Sequence, residues 1–315
     1  MVRMRQFSGP SPWRPRALAK RFLEKGLTAG PARLLLVRRS FGRAVILAYH
    51  NVIPDGEEHT GAFGTHVRME DFRWQIDVLE DLCSVVPLLE ILNPCRGSTK
   101  EQRLKVSITF DDAYAGTLRE ALPELARRRL PATVFVPTGL VGGGAFWWDD
   151  LGVSGWEGSR QLLNELRGET PRIRRWADRV GLESHPQGPS QLAASEKEVL
   201  QASRLPNMTF GVHTVGHPNL TRLAGFEVRK ELEDARHWLL ARRIPFSDCV
   251  AYPYGLASRE VGSIARELGF RAGLTISGGW VPRSSIDAFN LPRLNIPAGL
   301  TRENFLLRLL GILSG

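Results

Sequence analysis

The sequence predicts an α/β fold of about seven strand–helix units with parallel strands. Three observations predict it. Short apolar runs rich in β-formers recur along the chain, and each is followed by a stretch of helical periodicity. That alternation is the pattern of parallel sheets, whose strands are buried on both faces. Two of the runs end in clusters of Asp or His, as expected where strand ends open onto one site.

Residues 45–49 read as the first strand. Residues 71–82 are amphipathic, with Phe72, Ile76, Leu79 and Leu82 at helical spacing. Val85 and Val86 precede a short helix. Residues 105–110 form the next strand, followed by a helix over 117–129 and a strand over 132–137. A strand over 208–212 leads to a long helix over 227–242. Strand 249–252, helix 258–268, strand 271–275, strand 291–296 and helix 302–310 complete the series. Residues 142–206 break the rhythm: Gly142-Gly-Gly opens a stretch with charged helices near 160–167, 172–180 and 195–202, expected to be a mainly helical insertion.

The chain of 315 residues, 43% of them hydrophobic, suffices for one main domain with a large core. Its cysteines, Cys83, Cys95 and Cys249, are odd in number and lack paired spacing, which predicts free thiols in a reducing, cytoplasmic setting. No apolar run approaches the roughly 20 residues of a membrane span. Residues 1–43 hold nine Arg and two Lys against one Glu, a net +10. The whole chain carries +9, so the remaining 272 residues are near neutral. This basic N-terminal arm is expected to be a separate unit preceding a domain over 44–315. A solvated tail is one reading; peripheral contact with an anionic membrane at the inner face is the sharper one. No nucleic-acid motif accompanies the charge.

The chemistry concentrates in two segments. VSITFDDAY, from Val106 to Tyr114, ends its strand in Asp111 and Asp112; FGVHTVGHPNL, from Phe210 to Leu220, carries His213 and His217. One Asp and two His hold a divalent ion with positions left open, and the second carboxylate is then free to take a proton. Either half alone is a weak signal, since an Asp pair before a helix also serves as an N-cap. Adjacent strand residues point to opposite faces, so both carboxylates reach one site only if the strand ends at Asp111.

TFDD at Thr109–Asp112, HTVGH at 213–217 and AYPYG at 251–255 resemble the first three motifs of polysaccharide deacetylases of the NodB-homology type, carbohydrate esterase family 4. LAYHNV at 47–52 and LPRLN at 291–295 extend the resemblance over roughly 44–310. It implies a distorted, incomplete (β/α) barrel. It assigns Asp111 as general base, Asp112, His213 and His217 as metal ligands, and residues 251–255, with Pro253 and Tyr254, as a substrate-binding wall. The backbone N–H of Tyr254 would help hold an oxyanion. Zinc is the expected ion, with cobalt, nickel or manganese able to serve.

Two positions depart from the family pattern. The third motif often begins with an Arg that pairs with the catalytic Asp, yet Ala251 stands here; Arg293 is the expected replacement. Many relatives carry a general-acid His near the last motif, but Asn295 lies there, and no His follows His237. His50, at the end of the first strand, is the expected substitute. Trp147 and Trp148 are candidates to stack on a sugar, with one ring expected in the core and one in the groove. His59 and His66 are expected in loops, His185 in a turn and His237 on a helix surface.

The sequence thus predicts a metal-dependent hydrolase removing N-acetyl groups from amino sugars of a cell-envelope or exopolysaccharide precursor, lipid-linked or nucleotide-linked. Deformylation of a lipid-linked amino sugar and a non-catalytic glycan- or membrane-binding module are the alternatives.

Overall fold

A computed structural model describes residues 43–58, 64–92, 103–151, 155–281 and 286–312. Residues 1–42 of the basic arm over 1–43, His59 and Cys95 lie outside these residues. No helix among the described residues is long and apolar enough to cross a membrane.

The principal sheet is a parallel, incomplete barrel. Its strands are β1 (Ala44–Tyr49), β4 (Cys83–Val85), β5 (Leu104–Phe110), β6 (Ala132–Val136), β7 (Met208–Val212), β8 (Phe246–Ala251), β9 (Ala272–Leu274) and β10 (Leu294–Asn295). Along the sheet they run β10-β1-β5-β6-β7-β8-β9, and β4 pairs with the opening residues of β5. The arc is joined across its gap by one parallel bridge between Leu274 and Leu291. β2 (Asn51–Ile53) and β3 (His66–Arg68) make a separate parallel pair beside it.

Burial on both faces explains the continuous apolar runs. Val45, Leu47, Val134 and Val250 pack in the main core with the flanking helices, while Ile46, Phe135, Cys249 and Ala251 belong to a second cluster. The two sets alternate along each strand, as a period of two requires. The helices over Met69–Leu82, Gly225–Ala241, Arg259–Glu267 and Arg302–Leu309 cover the outside. Cys83 and Cys249 are buried free thiols.

Three elements differ from the sequence expectation for identifiable reasons. The helix expected over 117–129 begins as a π-turn at Thr117–Ala121 and becomes α-helical at Leu122–Arg127. Thr117 N–H donates to the Asn51 side chain and Thr117 Oγ1 donates to the His50 carbonyl, so the first turn is tied to its neighbours. The last strand shrinks to Leu294–Asn295; Pro292 removes a ladder donor between it and Leu291. His66 is not a loop residue: it begins β3 and is fully buried.

Between β6 and β7 the chain forms helices over Trp147–Asp150, Gly155–Glu165, Thr170–Val180 and Glu196–Ala202. Their own small core contains Phe146, Trp147, Trp148, Leu162, Leu163, Ile173 and Tyr114. Residues 190–194 fold back along the turn after β5: Ala115 N–H donates to Leu192 O, Gly116 N–H to Ser190 O, and Ala194 N–H to Ala113 O. The insertion is thereby fixed to the segment that carries Asp111 and Asp112.

Candidate metal centre and active site

β5 ends at Phe110, and the ladder continues for one bond, Asp111 N–H to Tyr49 O. Asp112 and Ala113 then take left-handed backbone, at φ 68° and 51°. That turn is what lets adjacent carboxylates face the same cavity rather than opposite sides of the sheet. Thr214, His217 and Tyr254 are also left-handed, at φ 67°, 58° and 60°. Each such non-glycine residue costs of the order of 1 kcal/mol, and such residues gather where the surrounding fold dictates a site.

Asp112 Oδ1, His213 Nε2 and His217 Nε2 converge. Oδ1 lies 3.4 Å from His213 Nε2 and 3.3 Å from His217 Nε2, and the two nitrogens are 3.1 Å apart. A tetrahedral ion with ligands at about 2.0–2.1 Å separates them by about 3.3–3.4 Å, so the triangle fits one divalent ion. The donor set of one carboxylate and two imidazoles suits zinc. His213 Nδ1 is 2.7 Å from Ala251 O; its proton donates there, leaving Nε2 unprotonated and aimed at the triangle. Asp112 Oδ1 is buried with no hydrogen-bond partner, as a ligand atom awaiting a cation would be.

Asp111 sits beside this triangle and is held by Arg293. The guanidinium donates from both terminal nitrogens to Oδ1 and Oδ2, each at 2.7 Å. It also donates to Thr109 Oγ1 at 3.2 Å and, through Nε, to Thr275 O at 3.1 Å. Both residues are almost completely buried. Arg293 comes from the segment beside β10, on the far side of β1 from Asp111. Thus the structure brings to Asp111 the arginine that the third motif lacks.

The electrostatics follow from burial and these pairs. Burial works against the Asp111 carboxylate, but Arg293 and His213 outweigh it and hold its pKa well below 3.8. Burial likewise opposes Asp112, yet His213 and His217 lower its pKa. Burial draws His217 down to about 3. It opposes charge on His213 as well, where Asp111 and Asp112 prevail and raise the pKa above 6.5.

A cavity of about 320 Å³ opens over the cluster. Asp111, Asp112, His213 and His217 share it with His50, Asn295 and an apolar wall of Trp147, Trp148, Leu163 and Tyr254. His50 is half-buried just beyond β1. Both Trp rings are buried and both border the cavity, which corrects the expectation of one core ring and one groove ring. Their four-residue helix lies across the site: Trp148 stacks on Phe146 at 4.8 Å and packs against His217 at 4.7 Å. Pro253 is buried and fixes the start of the turn that carries Tyr254, while the Tyr254 hydroxyl donates to Gly168 O. Gly255 also has φ 68°, and an added Cβ would lie 2.6 Å from Ile276 N. Only glycine is accommodated there.

The sequence reading missed Leu163, Thr65 and Ile276, apolar or small lining residues without a chemical signature. Asn295 was noticed only for the His it replaces; its Oδ1 is buried without a partner and Asn295 borders the cavity, so it can receive a substrate donor. His185 and His237 are exposed and away from this cavity.

The family model described as polysaccharide deacetylase matches residues 98–273. The chain belongs to the polysaccharide deacetylase family. Among curated proteins, none matches it by sequence. Solved structures of similar fold include the Streptococcus pyogenes deacetylase PplD in complex with acetate, 20% identical, with 85% of this chain and 99% of that one covered at a TM-score of 0.60. IcaB from Ammonifex degensii is 19% identical over 86% of this chain and 98% of its own, at 0.58. A de-N-acetylase from Aggregatibacter actinomycetemcomitans is 13% identical over 84% and 99%, at 0.59. At these identities the likeness concerns the fold. The family match contains Asp111, Asp112, His213, His217 and residues 251–255 of this deacetylase-family chain; His50 and Arg293 lie outside it and are placed by the structure alone.

Proposed function

We propose that the protein is a metal-dependent hydrolase that removes N-acetyl groups from amino sugars of a cell-envelope or exopolysaccharide precursor. The observation that carries this reading is the 3.1–3.4 Å triangle of Asp112, His213 and His217 next to the arginine-clamped carboxylate of Asp111. A zinc ion held by the triangle supplies the charge that polarises an amide carbonyl and acidifies water.

Around that centre the chain's own groups divide the work. Arg293 favours the ionised form of Asp111, and each carboxylate oxygen keeps a lone pair beyond those used by Arg293. Asp111 orients the attacking water and accepts its proton. The departing amine must in turn be protonated, since it is otherwise a poor leaving group. His50, which lines the same cavity, is the group assigned to assist that protonation. The Tyr254 backbone N–H is assigned to the oxyanion, and Trp147, Trp148 and Leu163 exclude bulk water. The Streptococcus pyogenes enzyme of the same fold was solved with acetate, the product this reaction would release.

Acyl release from a panel of N-acetyl and N-formyl sugars, free and lipid-linked, tests the reading. Acetate from wild type with added zinc is the expected result; formate alone would replace deacetylation by deformylation. One equivalent of bound zinc with no release from any member would instead support a binding module. Exhaustive chelation is expected to abolish release and zinc to restore it. Because His213 takes up a proton at a raised pKa, zinc affinity should fall as pH drops through that value. His50→Ala is expected to lower kcat by about 10²-fold with little change in zinc affinity. Full activity in that variant would remove His50 from the mechanism.

A further inference from the structure

The two metal-site histidines are held by different means. His213 has an outer hydrogen bond, Nδ1 to Ala251 O. His217 has none: its Nδ1 is buried and has no hydrogen-bond partner. A ligating imidazole without an outer partner is free to turn unless packing stops it. At His217 the packing is aromatic, with Trp148 at 4.7 Å and Tyr254 at 4.5 Å between ring centroids.

Trp148 is in turn fixed by a buried polar chain. Thr117 N–H donates to Asn51 Oδ1, so the Asn51 amide nitrogen faces Ser190 O at 2.9 Å and His66 Nδ1 at 3.0 Å. His66 Nδ1 is therefore an acceptor, and its Nε2 stands 3.3 Å from Asp149 Oδ1, a close polar contact rather than an aligned hydrogen bond. The other Asp149 oxygen accepts from the Tyr114 hydroxyl at 2.6 Å. The Tyr114 oxygen accepts from Trp148 Nε1–H at 2.8 Å. Asn51, His66, Tyr114 and Asp149 are at most 1% exposed, and burial, reinforced by Asp149, keeps the Tyr114 phenol protonated. The Tyr114–Asp149 and Trp148–Tyr114 bonds fix the indole ring, and buried networks of this kind rigidify the core around them.

We infer that Tyr114 and Asp149 are positioning residues for the metal centre: through Trp148 they hold the His217 ring in place of the missing outer hydrogen bond. The inference rests on the reading of Asp112, His213 and His217 as the metal ligands. Its logic is local. Tyr114 follows Asp112 by two residues, and Asp149 and Trp148 lie on the insertion. The network therefore makes the geometry of a barrel-borne metal site depend on correct seating of the insertion helix.

The test is the zinc dissociation constant, measured by chelator competition, for wild type, Tyr114→Phe, Trp148→Phe and the double variant. Tyr114→Phe keeps the ring that packs on Phe146 at 4.6 Å and on His66 at 5.3 Å, and removes only the hydroxyl. Tyr49→Phe serves as the control, since it deletes another buried phenol hydroxyl, bonded to Gln75. Each single variant is expected to bind zinc about tenfold or more weakly, the range seen when an outer-shell partner is lost. The double variant should lose little beyond either single one, and Tyr49→Phe should match wild type. Should Tyr114→Phe fail to fold, Trp148→Phe gives the same comparison. Wild-type zinc affinity in the folded variants, or equal weakening in Tyr49→Phe, overturns the inference. Failure of wild type itself to bind one equivalent of zinc sinks the metal reading on which it rests.

Discussion

Asp111→Asn should lower kcat by about 10²–10⁴-fold while one equivalent of zinc still binds. The amide keeps the shape of the carboxylate but cannot take a proton from water. Asp112→Asn and His213→Ala, by contrast, remove ligand atoms from the triangle, so their losses should appear first as weaker zinc binding. Chelator competition beside single-turnover kinetics separates the two classes. If Asp111→Asn retained wild-type kcat, Asp111 could not be the base, and the division of labour between the adjacent carboxylates would fail.

The second large effect is expected at Arg293. Arg293→Met replaces a fully buried guanidinium with an apolar chain and leaves the Asp111 charge without its bidentate partner. Breaking a buried pair in this way destabilises by about 3–5 kcal/mol. Arg293→Lys keeps a charge but loses the fork, so a smaller loss is expected. The pH dependence has a definite sign. Wild-type Asp111 has a lowered folded-state pKa, so its contribution is present above its ordinary value of 3.8 and is lost as pH falls through the lower folded value. The deficit of Arg293→Met should therefore be complete at neutral pH and narrow in acid below about pH 4. In Arg293→Lys the Asp111 pKa rises, and the acidic limb of kcat/KM should move to higher pH. Denaturant melts at several pH values and a pH–rate profile check both; full kcat with an unmoved acidic limb would show that Arg293 does not tune Asp111.

The strand–helix alternation was legible because parallel strands buried on both faces leave continuous apolar runs, and these are visible in residues 105–110 and 208–212. The cluster of Asp112, His213 and His217 was legible because carboxylate and imidazole are chemically conspicuous and stand at strand ends. Arg293 could be named from the sequence only by its place in the last motif region; its contact with Asp111, 182 residues earlier in the chain, depends on β10 pairing with β1. His66 was misplaced because a three-residue strand after a glycine-rich stretch of sequence has too little periodicity to register. Both Trp rings were hard to place for a related reason. The place of Trp148 is decided by Tyr114 and His217, which its own spacing does not reveal.

By itself, the sequence determined which chemistry was available: two carboxylates, two histidines and apolar strands able to deliver them to one end of a parallel sheet. Tertiary structure alone decided how that chemistry is aimed. Left-handed backbone at Asp112 and His217 turns their side chains, while the Arg293 clamp across the barrel and an insertion that lays Trp148 over His217 arise between segments distant in sequence. Local propensity acts over a few residues, whereas orientation at a buried site is set by whichever groups the completed packing brings within hydrogen-bond reach.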